Sequence, residues 1–334
     1  EYRSRGLVRA LFEAVHERSA ALGHQLYAIT GIAHFYRQFG YTMAVERGRH
    51  AVYSLAALPD LAADYQPTYT LRPASPDDIP AMTAWHAHFA RERLLTDAFS
   101  PESWRYEITG RHWGFYPHTD YQIIVDAAGQ DVGYITMLSS PAETYETRCI
   151  AYVVGENASY LATFDDVMQG IKAWALQHYG RCPAMLIFNT DIHTTLDTLI
   201  ANSRGGHLEA RKYAWYLRVP DAIGFLQTIR PVLEARLAGS GAQGYTGELR
   251  IGFHDLTGIS LRFTAGQLSD IQALRGKDGY DVAFPWGLFW NIVFGYQTSD
   301  EVLALAVDTD ITGKAAVLLE ILFPKMRSAV HGLV

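Results

Sequence analysis

The chain has 334 residues, of which 49% are apolar and 19% charged, enough to bury two or three ordinary cores. No run approaches the ~20 apolar residues of a membrane span, and two cysteines, Cys149 and Cys182, are too few for a disulfide scaffold or a CxxC zinc site and fit a reducing cytoplasm. The formal net charge of -7 argues against general nucleic-acid binding.

Residues 1–50 depart from that balance. They hold Arg3, Arg5, Arg9, Arg18, Arg37, Arg47 and Arg49 against Glu1, Glu13, Glu17 and Glu46. A local cationic region in an acidic chain suits a small anionic ligand, although this count alone fits chance fluctuation equally well. Leu7, Val8, Leu11, Phe12, Val15 and Leu22 recur at helical spacing, and Gly23 stops the helix. Residues 24–30 read as a buried strand, 32–39 as a short helix ended by Gly40, 41–55 as strand, and 58–67 as a linker.

A second unit starts at 69. A short strand runs into Ser75-Pro76-Asp77-Asp78, which caps a helix with proline in its first turn. Strands follow at 121–129, 131–139 and 148–155, then helix 163–179, strand 184–190, helix 194–202 and strand 213–219. Near Pro220 the pattern changes again. Residues 221–240 are helical, with Pro231 forcing a kink or restart. In 247–266, Leu249, Ile251 and Phe253 face one way and Ile259, Leu261 and Phe263 answer across a turn at 255–258. Residues 284–306 and 313–324 read as apolar helices.

Arg3-Ser4-Arg5-Gly6 sits where the first helix begins. Free N–H groups and the positive end of the helix dipole point outward there, glycine allows an anion close approach, and arginine adds charge. The alternative is an ordinary surface helix start. His86 and His88 lie two apart on a helix and do not share a face, so they make poor co-ligands; no metal is expected. The glycine-rich 239–244 lacks the Lys-Ser/Thr of a P-loop. Trp286, Phe289, Trp290, Phe294 and Tyr296 read as core.

Residues 1–46 resemble the second half of a GCN5-related N-acetyltransferase (GNAT) domain. Arg3-Ser4-Arg5-Gly6-Leu7-Val8 is similar to that family's acyl-CoA pyrophosphate motif, with Val8 in place of its last Gly or Ala. "FYRQFGY" (35–41) resembles the helix-then-strand end of the fold and aligns Tyr36 with the family's catalytic tyrosine. The whole chain resembles the three-domain subfamily of the enhanced intracellular survival (Eis) type. The expected fold is therefore α/β and α+β: the C-terminal half of a GNAT domain at 1–63, a degenerate second GNAT-like domain at 68–218, and a sterol-carrier-protein-like domain at 219–334.

The resemblance implies an N-acetyltransferase that takes acetyl-CoA as cosubstrate and a primary amine of aminoglycoside, polyamine or lysine type as acceptor. Arg3, Ser4, Arg5, Gly6, Leu7, Val8 and Arg9 would hold the pyrophosphate, and the pantetheine arm would leave along 24–31 past Gly31 and Ile32. Tyr36 would protonate the departing thiolate, which a phenol of pKa ~10 can do at neutral pH; its other reading is a packing residue. The subfamily uses its terminal α-carboxylate as base, which implicates Val334 or residues beyond it. In the second domain the corresponding loop, "GENASYLATFDD", carries Glu156, Asp165 and Asp166 and no arginine. Such a loop would repel a pyrophosphate. A cytoplasmic homo-oligomer is implied. Because only "EYRSR" precedes the pyrophosphate helix, the expectation is an N-terminal truncation that leaves an unpaired sheet edge and an inactive fragment. The rival is a non-catalytic lipid- or apolar-ligand-binding protein that uses the C-terminal domain.

Overall fold

A computed structural model describes residues 5–32, 34–46, 49–110, 118–139, 146–180, 185–190, 194–209, 214–276, 279–306, 309 and 311–330. The first helix, α1 (Leu7–Ala21), follows Gly6. Strand β1 (Tyr27–Ile29), a 3-10 turn at Phe35–Phe39, and strands β2 (Thr42–Glu46) and β3 (Arg49–Tyr53) come next. Then follow β4 (Tyr69–Pro73), α2 (Ile79–Ala90), α3 (Pro101–Arg105), β5 (His118–Asp126), β6 (Asp131–Ser139) and β7 (Glu146–Val154). Helix α4 (Tyr160–Tyr179), β8 (Met185–Thr190), α5 (Thr194–Asn202), β9 (Gly206–Leu208) and β10 (Ala214–Arg218) complete the middle of the chain. The last part holds α6 (Ala222–Thr228), α7 (Arg230–Ala238), β11 (Gly247–Phe253), β12 (Thr257–Thr264), β13 (Gln267–Arg275), β14 (Val282–Phe284), α8 (Trp286–Val293), α9 (Ser299–Leu305) and α10 (Gly313–Leu322).

The chain divides into two compact units. One comprises 1–46 and 214–326; the other comprises 47–213 and 327–334. These limits do not coincide with the boundaries expected at 63/68 and 218/219. The expected strand 41–55 is two strands in different sheets: β2 pairs with β10, whereas β3 pairs with β8 and β9. Strand β10 was expected to close the middle domain, but it lies between β1 and β2, antiparallel to both. The hydrophobic pattern marks each segment as a strand but carries no information about its partner.

In the first unit the described residues also form a four-stranded sheet, β13-β12-β11-β14. The hairpin register is the one the alternation predicts, with Leu249 opposite Leu261 and Ile251 opposite Ile259. Those side chains are buried, as are Leu226, Leu233 and Leu319 of the same unit. The continuous helix expected at 284–306 is broken. Gly295 takes a positive φ of 62° and the backbone of Met326 passes 2.7 Å from where a Cβ would sit, so only glycine fits. Thr298 then restarts the chain as α9 through a reciprocal cap with Glu301.

The second unit is built on a seven-stranded sheet, β4-β5-β6-β7-β8-β3-β9. Successive residues of its strands alternate between two apolar clusters. Ile124, Ile135, Tyr152 and Val154 pack on one side with Phe164, Met168 and Ile171 of α4. Ile123, Tyr134 and Val153 pack on the other with Met82 of α2 and Trp104 of α3. Strand β8 runs parallel to β7 and pairs only as far as Cys149, so β7 beyond that point is held by β6 alone. Cys149 is fully buried and its thiol is pushed up to about 12 by burial, which leaves it inert. No helix among the described residues is long and apolar enough to cross a membrane.

The Ser75-Pro76-Asp77-Asp78 start forms as the sequence predicts. Asp78 Oδ2 accepts from Ser75 N at 2.7 Å, and the Arg72 guanidinium clasps the same carboxylate at 2.7 and 2.9 Å. The Arg72 hydrogen bond holds the Asp78 carboxyl down at about 2. A depressed carboxyl stabilises the fold above its unfolded pKa, and that stabilisation is lost as pH falls through the folded value. We therefore expect urea-unfolding stability to drop between about pH 4 and pH 2. This pair should contribute up to about 2 kcal/mol of that drop. Asp78→Asn should lower stability at neutral pH and flatten that part of the profile.

Candidate active site

The candidate site lies in the first unit, where α1, β1, the Phe35–Phe39 turn, β2 and β10 meet. Gly6 precedes α1 with φ 72°, a left-handed value that glycine adopts without strain. Ala10 N donates to Gly6 O at 3.1 Å, which is the first backbone bond of the helix. Gly6, as the N-cap, has no side chain to cap the first amides. A helix end built this way presents N–H groups and a partial positive charge. Arg5, Gly6, Leu7, Val8 and Arg9 are all exposed here, and the Arg9 guanidinium lies 5.8 Å from the Phe39 ring centroid. Arg3, Ser4 and Val334 lie outside the described residues.

The apolar stripe of α1 lies open: Leu7, Val8, Leu11 and Val15 are exposed, and α1 has no buried residue. Its anchor is Phe12, which stacks on Phe39 at 4.1 Å and reaches the Tyr36 ring at 6.1 Å. Between α1 and β1 lies a cleft of about 400 Å³, lined by Leu11, Phe12, Val15, Leu26, Tyr27 and Ile29 among others.

Tyr36 is 9% exposed and its hydroxyl donates to Thr30 O at 3.2 Å, at the point where the chain leaves β1. Gly31, with φ 131°, makes this possible, since a Cβ there would stand 2.9 Å from the Tyr36 hydroxyl. Ile32 is 62% exposed at the lip of this bend. The structure thus brings Tyr36, Gly31 and the end of β1 together and ties them to α1 through Phe12.

Three supporting residues were not singled out from the sequence. Tyr216 of β10 is fully buried, and its hydroxyl accepts from His34 N at 2.7 Å. That bond holds His34, which has a strained φ of 63°, at the start of the turn that carries Tyr36. The Tyr216 ring also packs 5.5 Å from the Tyr36 ring. His16 of α1 shares a 3.0 Å hydrogen bond with the Tyr41 hydroxyl. Burial, and then the charge of Arg218, lower the His16 pKa, while burial raises that of Tyr41. Arg218 itself stands 5.5 Å from the Tyr27 ring centroid. The sequence marks 213–219 as a strand but does not show that it serves this site.

The junction between β7 and α4, in the second unit, is arranged differently. Ser159 caps α4 by accepting from Ala162 N at 3.2 Å, so a side chain occupies that helix end. Glu156 pairs with Arg91 and His88, each at 3.0 Å. Asp166, read as a residue that would repel an anion, has a structural task instead. It accepts from Thr68 N and Tyr69 N at 2.9 Å each and from the Tyr65 hydroxyl, and so fastens the start of β4.

No family model matches the sequence, and no curated protein matches it. Solved structures do. A GCN5-related N-acetyltransferase from Anabaena variabilis aligns over 98% of this chain and 78% of its own, with 14% identity and a TM-score of 0.63. A conserved protein from Enterococcus faecalis, described as a probable N-acyltransferase, aligns over 100% of this chain and 78% of its own, with 12% identity and a TM-score of 0.65. Eis1 from Mycobacterium abscessus aligns over 98% and 77%, with 15% identity and a TM-score of 0.53.

The chain shares the fold of these GNAT proteins. At such identities the likeness speaks for the fold and leaves the chemistry to the residues. Within this fold, Tyr216→Phe removes the acceptor for the His34 N–H and leaves that group to solvent, since His34 is an exposed residue. We expect a loss of about 0.5–1.5 kcal/mol in denaturant unfolding. His34→Gly, which relieves the positive φ while keeping the amide bonded, should not destabilise by that mechanism.

Proposed function

We propose that this protein is an acetyl-CoA-dependent N-acetyltransferase acting on primary amines. The observation that carries the reading is the Tyr36 hydroxyl held against Thr30 O, beside Gly31, in a chain with a GNAT fold. Residues 4–9 would receive the CoA pyrophosphate, with the arginines at 3 and 5 neutralising phosphate charge. The cleft along β1 offers an apolar path for the pantetheine arm.

The chemistry follows directly. A neutral amine adds to the thioester carbonyl and forms a tetrahedral intermediate. The C–S bond then breaks, the electron pair stays on sulfur, and Tyr36 gives its proton to the thiolate. The ammonium nitrogen loses a proton to a base, and Tyr36 is reprotonated from solvent. Val334, expected as the carrier of that base, lies outside the described residues, so the proposal does not rest on it. The acid role requires the Tyr36 O–H to turn from Thr30 O towards the sulfur, which exchanges one acceptor for another.

We read 68–218 as a GNAT-like domain that binds no CoA, since Ser159 fills its helix end and the segment before it carries Glu156, paired with Arg91, and no arginine of its own. We read 219–334 as a sterol-carrier-like module and the assembly as a homo-oligomer. A lipid carrier would need an open cavity at Trp286 and its neighbours. Phe289, Trp290 and Phe294 are instead 0–2% exposed and pack ring to ring with Phe225 and Phe253. That favours the transferase reading.

Two measurements on the full-length protein test it. Tyr36→Phe should lower kcat by ~10²–10⁴-fold with little change in CoA affinity. Near-normal turnover would return Tyr36 to a packing role. Calorimetry should give one acetyl-CoA per chain, with an affinity at least ~10-fold weaker in Arg5→Glu. A stoichiometry of two, or unchanged affinity in that variant, would discard the pyrophosphate assignment.

A further inference from the structure

Acetyl transfer needs a base for the ammonium nitrogen, and the three-stranded sheet that carries the candidate site bears one carboxylate. Glu46 is the last residue of β2 and is half-buried. Among the described residues, no hydrogen bond or ion pair engages its side chain. Withdrawing a carboxylate from water without a partner is a cost that packing does not repay. The other described carboxylates of residues 5–46, Glu13 and Glu17, are exposed on α1.

Strand register places Glu46 on the face of the sheet that holds Tyr36. Tyr27 of β1 stacks on His16 of α1, so Tyr27 and Ile29 point to the α1 face. Ile29 lies opposite Tyr216, whose ring packs on Tyr36, and opposite residues share a face. Two residues along β10, Ala214 returns to that face, and it lies opposite Glu46. The irregularity in this pairing falls in β2, where Ala44 is the extra residue, and it leaves the alternation of β10 intact.

The two residues also stand at one level. Two residues past Ile29, on one flank of β10, comes Gly31, where a Cβ would be 2.9 Å from the Tyr36 hydroxyl. Two residues from Tyr216, on the other flank, comes the Ala214–Glu46 pair. With neighbouring strands ~4.8 Å apart, the backbone at Glu46 is about 10 Å from that at Gly31. An amine nitrogen and a thioester, with a hydrogen bond of about 3 Å at each end, fill a gap of that order. The cleft offered to the pantetheine arm runs along β1, which leaves the β2 flank to the acceptor. Tyr296, after α8, belongs to the same corner. Burial, and then the charge of Glu46, raise its pKa, so its hydroxyl keeps its proton and can donate.

We propose that Glu46 is the base that takes the proton of the acceptor amine, an inference that rests on the transferase reading and completes it. The amine nitrogen attacks the thioester carbonyl carbon, and the carbonyl electron pair moves to oxygen. The N–H proton passes to a Glu46 carboxylate oxygen, and its bonding pair stays on nitrogen. The carbonyl re-forms as the C–S bond breaks, and Tyr36 protonates the departing sulfur. Glu46 then gives its proton to solvent and Tyr36 takes one back, so the protein is unchanged.

The test uses the full-length protein and the best acceptor among a lysine peptide, spermidine and an aminoglycoside. Glu46→Gln should lower kcat/KM for the amine ~10²–10⁴-fold at pH 7 and leave acetyl-CoA affinity unchanged. The deficit should narrow at least ~10-fold by pH 9, as the acceptor sheds its proton unaided. Glu46→Asp, which keeps the carboxylate, should lie between wild type and Glu46→Gln. Active wild type with near-normal turnover in Glu46→Gln, a deficit equal at every pH, or equal losses in the Asp and Gln variants would overturn the base role and leave the transferase reading standing. A wild type that transfers no acetyl group to any of the three acceptors would overturn both.

Discussion

The candidate site depends on one strand. β10 supplies the backbone hydrogen bonds that join β1 to β2, which otherwise share no ladder. It also supplies Tyr216, whose hydroxyl fixes the entry to the turn that bears Tyr36. Remove β10 and β1, β2 and the turn lose both their sheet partner and their buried neighbour. Phe12 provides the other constraint, stacking on Phe39 and reaching Tyr36, while His16 adds a hydrogen bond to Tyr41. Geometry at Tyr36 is thus set by a long-range ladder and an aromatic cluster, while the residues that would face phosphate stay exposed on a helix end.

Two helix starts, one in each unit, are built in opposite ways. At α1 the helix begins with a glycine that has no side chain to offer its own amides. At α4 the helix begins with a serine that satisfies them. The acidic residues nearby are likewise occupied: Glu156 by Arg91 and His88, Asp166 by the β4 backbone.

Much of this was legible in the sequence where the signal is local. The Leu249–Phe253 and Ile259–Phe263 alternation gave both strands and their register, because side-chain period and turn length over-determine a hairpin. Ser75-Pro76-Asp77-Asp78 announced a helix start because capping is a four-residue affair. Gly31 and Tyr36 could be paired through a motif. Partners distant in sequence were not legible: nothing in 213–219 says that it lies between 27–29 and 42–46, and nothing in 41–55 says that it divides between two sheets. The role of Asp166 escaped for a related reason. It depends on what tertiary contact does to a short polar segment, which composition does not encode. The exposed stripe of α1 is the reverse case, a clear amphipathic pattern without a buried counterpart.

The exchange of strands between the two units also has a consequence during synthesis. Residues 27–46 cannot complete their sheet until residues 214–218 have left the ribosome, some 170 residues later. At translation speeds of roughly 5–20 residues per second, that is a wait of about ten to thirty seconds. Throughout it, β1, β2 and the apolar side of α1 are nascent chain without a template. The seven-stranded sheet of the second unit, whose strands all lie between 49 and 208, can close first. The order of assembly is then inverted relative to the order of translation. Strands β1 and β2 are made well before the strand that joins them, and their sheet closes only after it.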